Sequence, residues 1–128
     1  MSVDQERIHL LFRKLGRQIA KASNKPQSQN VHQFRTATRR LEAVLEELVP
    51  EPDRNQRKLL KQLARLRRRA GRVRDLDVQI AALRSLKMSE EPGRKTQLLR
   101  NLLEIRSQRE KKLVDALDTD TVRDLRKR

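Results

Sequence analysis

Apolar positions recur along the chain every three or four residues, the spacing that gathers one face of a helix. In the first segment Ile8, Leu11, Phe12, Leu15, Ile19 and Ala22 form such a face, with Arg13, Lys14, Arg17 and Lys21 spread over the other side. Lys25 to Asn30 contains a proline and no periodicity, so it reads as a loop. A second face follows at Val31, Phe34, Thr38, Leu41, Leu45 and Leu48, until Pro50 and Pro52 stop it. A third runs through Leu59, Leu60, Leu63, Leu66, Ala70, Val73 and Ile80, with no clear breaker before the Ser-Glu-Glu-Pro-Gly run at Ser89. The fourth holds Leu98, Leu99, Leu102, Ile105, Leu113 and Leu117, interrupted by Arg106 and Arg109. The pattern predicts helices over about residues 4–23, 30–48, 53–88 and 94–118.

Ser2 or Asp4, Asn30 and Asp53 are the expected N-caps, since their side chains accept from free backbone N–H groups in a first turn. The third helix would span about 50 Å at about 1.5 Å per residue, with Gly71 as the place for a bend. The tail from Asp118 to Arg128 reads as one more turn or a frayed end. Short loops make consecutive helices antiparallel neighbours. The expected fold is all-α, an antiparallel four-helix bundle forming a single domain over residues 1–128.

Composition restricts what fills it. Two Phe and no Trp, Tyr or Cys leave an aliphatic core, with neither disulfides nor thiolate metal ligands. The polar start, Met-Ser-Val-Asp-Gln-Glu-Arg, is unlike a signal peptide. No apolar run approaches the roughly 18 residues that a membrane span needs. A cytoplasmic chain without membrane insertion is expected. There is no glycine-rich phosphate loop, no His-Glu-x-x-His and no calcium loop. Neither of the two histidines sits in a local nucleophile signature. The expectation is a binding module with no catalysis, metal or cofactor.

Charge says what it would bind. Lys and Arg outnumber Asp and Glu by 32 to 17, a formal charge of +15. Such a particle attracts polyanions: nucleic acid, an anionic membrane or inorganic polyphosphate. From Arg54 to Arg74 there are ten basic residues and no acid before Asp75. Arg54, Lys61, Arg65, Arg68 and Arg72 follow one outward stripe, and Asp75 lies beside it, placed to orient an arginine. Arg67, Arg74 and Asp77 fall closer to the apolar face, where charges are costly unless paired. Arg74 and Asp77, three apart, are expected to pair along the helix. On the second helix His32, Arg35 and Arg39 share a face. Like charges at that spacing cost a few tenths of a kcal/mol, which an anion would remove. Taken alone they read as a solvated helix face. Beside the basic stripe they read as an anion site. His9 reads as an ordinary exposed histidine.

Two stretches carry a family resemblance. Val31-His32-Gln33-Phe34-Arg35-Thr36-Ala37-Thr38-Arg39-Arg40-Leu41 resembles the histidine motif of the CHAD domain, the conserved histidine α-helical domain. Ala70-Gly71-Arg72-Val73-Arg74-Asp75-Leu76-Asp77-Val78 resembles that family's second signature. The alignable region runs from about Ile8 to Leu117. The resemblance implies two four-helix bundles related by a pseudo-twofold axis, and inorganic polyphosphate held in a basic channel without catalysis. It carries binding roles to His32, Arg35, Arg39 and Arg40 from the first motif, and to Arg72 and Arg74 from the second. Lys61, Arg65 and Arg68 extend the same stripe by helical geometry. Glu42 departs from the family, standing where many members have another arginine and weakening the local positive field. Gln33 replaces a common acid.

Only one histidine motif is present, so the chain looks like half of the double bundle: a truncated form, or a natural short form completed as a homodimer. Polyphosphate is the expected partner, with granules of it as one expected location. The alternatives are nonspecific nucleic-acid binding, and an accessory or targeting role beside a triphosphate-processing enzyme. The scarcity of aromatic side chains favours polyphosphate over single-stranded nucleic acid, because stacking platforms are missing.

Overall fold

The computed structural model describes residues 3–86 and 92–118. Four helices follow in order: α1 Val3–Asn24, α2 Ser28–Leu48, α3 Arg54–Ser85 and α4 Pro92–Leu117. No strand occurs among the described residues. The all-α bundle expected from the apolar spacing is therefore present. Ser28 and Glu42 of α2 face Arg74 and Arg67 of α3 in reverse order, so these helices are antiparallel. Asp77 and Arg72 of α3 face Arg106 and Arg109 of α4 in the same reversed sense. α1 packs mainly on α2 and only slightly on α4. Ser23 Oγ of α1 donates to Asp118 Oδ1, just past α4, at 3.1 Å.

The core is one cluster built from the expected faces. It joins Leu15, Ile19 and Ala22 to Val31, Phe34, Ala37, Leu41 and Leu45, then to Leu63, Leu66, Ala70, Val73, Leu113 and Leu117. Full burial of a Leu or Phe side chain is worth about 1.5–3 kcal/mol, so this cluster supplies the main driving force. Thr38 lies within the α2 stripe and is buried. Its hydroxyl donates to the Phe34 carbonyl at 2.9 Å, which satisfies it without a partner helix.

α4 gives the core only its C-terminal half. Leu98 and Ile105, assigned to its apolar face, are exposed, and so are Leu103 and the α3 residue Val78. Helix length explains this. α3 has 32 residues and α4 has 26, against 22 and 21 for α1 and α2. The α1–α2 turn at Pro26 lies level with Asp77 and Arg106. Beyond it α3 and α4 continue as a two-helix arm that buries Leu76, Ile80 and Leu83. Two helices cover one face each, and the rest stays wet.

Helix ends differ from expectation by two residues or more in three places. α2 starts at Ser28, not Asn30, after Gln27, which makes no side-chain cap. Asn30 instead turns its amide back to the loop, Nδ2 donating to the Lys25 carbonyl at 2.8 Å. α3 ends at Ser85, and Leu86 is extended at φ −71°, ψ 132°. Lys95 of α4 donates to the carbonyls of Arg84 and Leu86 at 3.0 and 2.7 Å, taking up acceptors that a longer helix would have used. α4 begins two residues early, at a proline, where a missing N–H costs nothing.

Asp53 does cap α3, in a reciprocal box. Its Oδ1 accepts from Gln56 N–H at 2.8 Å, and Gln56 Oε1 accepts from Asp53 N–H at 2.8 Å. Asp4 lies in the first turn of α1. α3 passes through Gly71 as unbroken helix. A Ser2 cap, helix at residues 87 and 88, the breaker at residues 89–91 and the tail after Asp118 lie outside the described residues.

Candidate anion-binding surface

His32, Arg35 and Arg39 follow one another along one side of α2 at three- and four-residue spacing, and of the three it is Arg35 that meets α3. His32 and Arg39 are exposed, and Arg35 is half-buried. Arg35 is positioned by Gly71: a Cβ on that glycine would stand 3.6 Å from Arg35 Nε. The guanidinium stem therefore rests on the bare backbone of α3. Its Nε is enclosed and has no hydrogen-bond partner. On α3 itself Lys61, Arg65, Arg68 and Arg72 are exposed along the outward stripe, one turn apart. Among the described residues none of these cations meets a carboxylate. Asp75 is exposed and orients none of them.

Arg40 and Arg74 do not join this surface in the expected way. Arg40 lies on the α1 side of α2. There it lines a recess of ≈ 260 Å³ with Lys14, Gln18 and His32. His32 thus borders both sides of α2. Arg74 turns inward to α2, its Nη1 3.4 Å from Ser28 Oγ.

The expected Arg74–Asp77 pair is absent, because a better partner for Asp77 arrives from another helix. Arg106 Nε donates to Asp77 Oδ1, Nη1 to Glu110 Oε2 at 2.8 Å, and Nη2 to the Pro26 carbonyl at 2.9 Å. One guanidinium joins α3, α4 and the α1–α2 turn. Asp77 Oδ2 is enclosed and unpartnered. Arg106, which breaks the apolar stripe of α4 in sequence, is the structural knot of the bundle.

Glu42 is likewise not a loose charge in a positive field. It is 9% exposed, and its Oε1 accepts from Arg67 Nε at 2.8 Å. The hydrogen bond to Glu42 raises the Arg67 pKa above its ordinary value; partial burial opposes it, and the charges of Glu42 and Glu46 add to it. A raised arginine value means the pair's contribution is intact below the ordinary value and lost only as pH climbs through the raised one. Near neutral pH the pair is always made.

Sequence reasoning placed Arg72 in the site but missed the three cations that join it. Arg69 and Arg72 of α3 and Arg109 and Lys112 of α4 line a recess of ≈ 250 Å³ between the two helices. Arg109 Nη1 donates to the Arg72 carbonyl at 3.3 Å. The signal was in the sequence: Arg109 interrupts the α4 stripe and Lys112 follows it three residues later, on the same face.

Four antiparallel helices around a core of aliphatic side chains and Phe34, with cations exposed across α2, α3 and α4, define a basic all-α bundle. This chain belongs to the CHAD domain family, whose model matches residues 6–128. No curated protein and no solved structure matches it. Among the described residues no group of His, Cys, Asp and Glu side chains suits a metal ion, and no helix is long and apolar enough to cross a membrane.

Proposed function

We propose that this protein binds inorganic polyphosphate on the α2–α3 surface, without catalysing its conversion. The observation that carries the reading is the arrangement of His32, Arg35, Arg39, Lys61, Arg65, Arg68 and Arg72. They are one histidine and six cations from two helices, with no carboxylate partner among the described residues. The three carboxylates found in ion pairs there, Glu42, Asp77 and Glu110, are taken up by Arg67 and Arg106. That leaves the six arginine and lysine side chains named above to meet an external anion. Membership of the CHAD family supports the same ligand.

A polyphosphate chain has no bases to read, so charge-assisted hydrogen bonds along its length suffice. Arginine makes these bidentately and lysine as a point charge. His32 supplies a ring N–H as a further hydrogen-bond donor. The same reading places the protein in the cytoplasm beside polyphosphate stores. Two copies would form the functional unit, joined through the apolar residues that the α3–α4 arm leaves exposed.

The test is competition at fixed ionic strength, because any polyanion gives steep salt dependence. Labelled long-chain polyphosphate should resist displacement by duplex DNA at equal phosphate concentration. Arg35→Ala with Arg39→Ala should weaken polyphosphate binding about tenfold or more, since each charged hydrogen bond is worth about 1.5–3 kcal/mol. Helicity by circular dichroism should be retained. Ready displacement by DNA would transfer the reading to nucleic acid.

A further inference from the structure

The recess between α3 and α4 is unlike the open stripe beside it. Arg69, Arg72, Arg109 and Lys112 converge there, and no acid lines it. The contrast with the next turn of α4 is informative. Arg106 receives two carboxylates and a backbone carbonyl. Arg109, three residues later, receives one carbonyl at 3.3 Å and three cationic neighbours. Glu110 sits next to Arg109 in sequence but is committed to Arg106. Four like charges around one concavity repel each other, and an anion from outside relieves that repulsion. Holding Arg109 on the Arg72 carbonyl fixes one guanidinium at the wall, while Lys112 remains an adaptable point charge.

The chemistry of a linear polyphosphate says which part belongs there. An interior phosphoryl group shares two oxygens with its neighbours and carries one negative charge. A terminal one shares a single oxygen and carries more charge and more free acceptors. An exposed stripe on α3 suits the interior repeat. A recess with four converging donors suits the end.

We propose that the Arg69–Arg72–Arg109–Lys112 recess is a subsite for the terminal phosphoryl group of a linear oligo- or polyphosphate. This rests on the polyphosphate reading above and adds α4 to a surface otherwise carried by α2 and α3. No aromatic side chain lines the recess, so an inorganic chain is favoured over a nucleoside triphosphate, whose base would find no stacking partner.

The experiment is calorimetric titration of the full chain with three probes: linear tripolyphosphate, cyclic trimetaphosphate, which has no ends, and ATP. The wild type should bind the linear form at least tenfold more tightly than the ring. In Arg109→Gln/Lys112→Gln that ratio should fall to threefold or less. In Arg35→Gln/Arg39→Gln both affinities should drop together and the ratio should persist. Arg39 and Lys112 are exposed whereas Arg35 and Arg109 are half-buried, so thermal melts verify that each variant folds. Arg109→Lys keeps the charge and should recover part of the preference.

Equal affinity for ring and linear chain, or an unchanged ratio in the α4 variant, would overturn the terminal subsite. ATP binding tenfold above tripolyphosphate would overturn the inorganic assignment. Long-chain polyphosphate is titrated in parallel. If it binds while the terminal preference is absent, the subsite alone fails. If the wild type binds no polyphosphate of any length, the underlying reading fails as well.

Discussion

At the scale of single residues, a charge near the core is defined by where its partner comes from. Asp77 and Arg74 are three apart on one helix, and helical geometry alone would pair them. Asp77 is instead met by Arg106, 29 positions away in sequence. A local pattern cannot see such a partner. Glu42 and Arg67, 25 positions apart, give the same lesson. His32, Arg35 and Arg39 were legible because their common side of α2 depends on spacing alone. The Gly71 contact that seats Arg35 was not, because it depends on how α2 crosses α3. We expect Arg106→Met to destabilise the fold by about 3 kcal/mol, because it leaves the enclosed Asp77 carboxylate without its counter-charge. Adding Asp77→Asn should restore a substantial part. Urea unfolding followed by circular dichroism measures both, and a loss under about 1 kcal/mol would remove Arg106 from its structural role.

At the scale of elements, the apolar period located all four helices, and errors gathered at their ends. The Asp53 box was readable since cap and acceptor lie three residues apart in sequence. The start of α2 was not, because Asn30 satisfies a loop carbonyl, a choice made by the loop's path. Lys95 taking up the last carbonyls of α3 is again a contact between helices. Asp53→Ala removes one half of the box at the head of the longest helix. It should cost about 1 kcal/mol, in the usual range for an N-cap, and appear as a lower urea midpoint with an unchanged slope. Asp53→Asn should cost far less, since the amide oxygen accepts the same bond.

At the scale of the whole molecule, two features pull against each other. A formal charge of +15 drives copies apart, whereas Leu98, Leu103, Ile105 and Val78 on the arm give them a reason to meet. Association should therefore strengthen with salt or polyphosphate, both of which screen the repulsion. Light scattering should give twice the 15.1 kDa chain mass at moderate ionic strength. Leu103→Lys with Ile105→Lys should return the protein to monomer without unfolding it. A wild type that stays monomeric at high concentration and high salt would remove the dimer. The arm was foreseeable only in part: sequence showed that the third helix is the longest, but not that α1 and α2 stop level with Asp77.

The Arg106 knot bears on the order in which the chain folds. Its bond to the Pro26 carbonyl ties together segments 80 residues apart, whereas contacts within each hairpin of neighbouring helices, Asp77–Arg106 included, close over shorter loops. Closing the longer loop costs more chain entropy, so the two hairpins should form early and the knot last. An interaction absent from the transition state slows escape from the native state and leaves refolding untouched. Stopped-flow measurements on Arg106→Met should then show unfolding accelerated by more than folding is slowed. On this view the guanidinium acts as a latch, setting how long the folded protein lasts more than how quickly it is made.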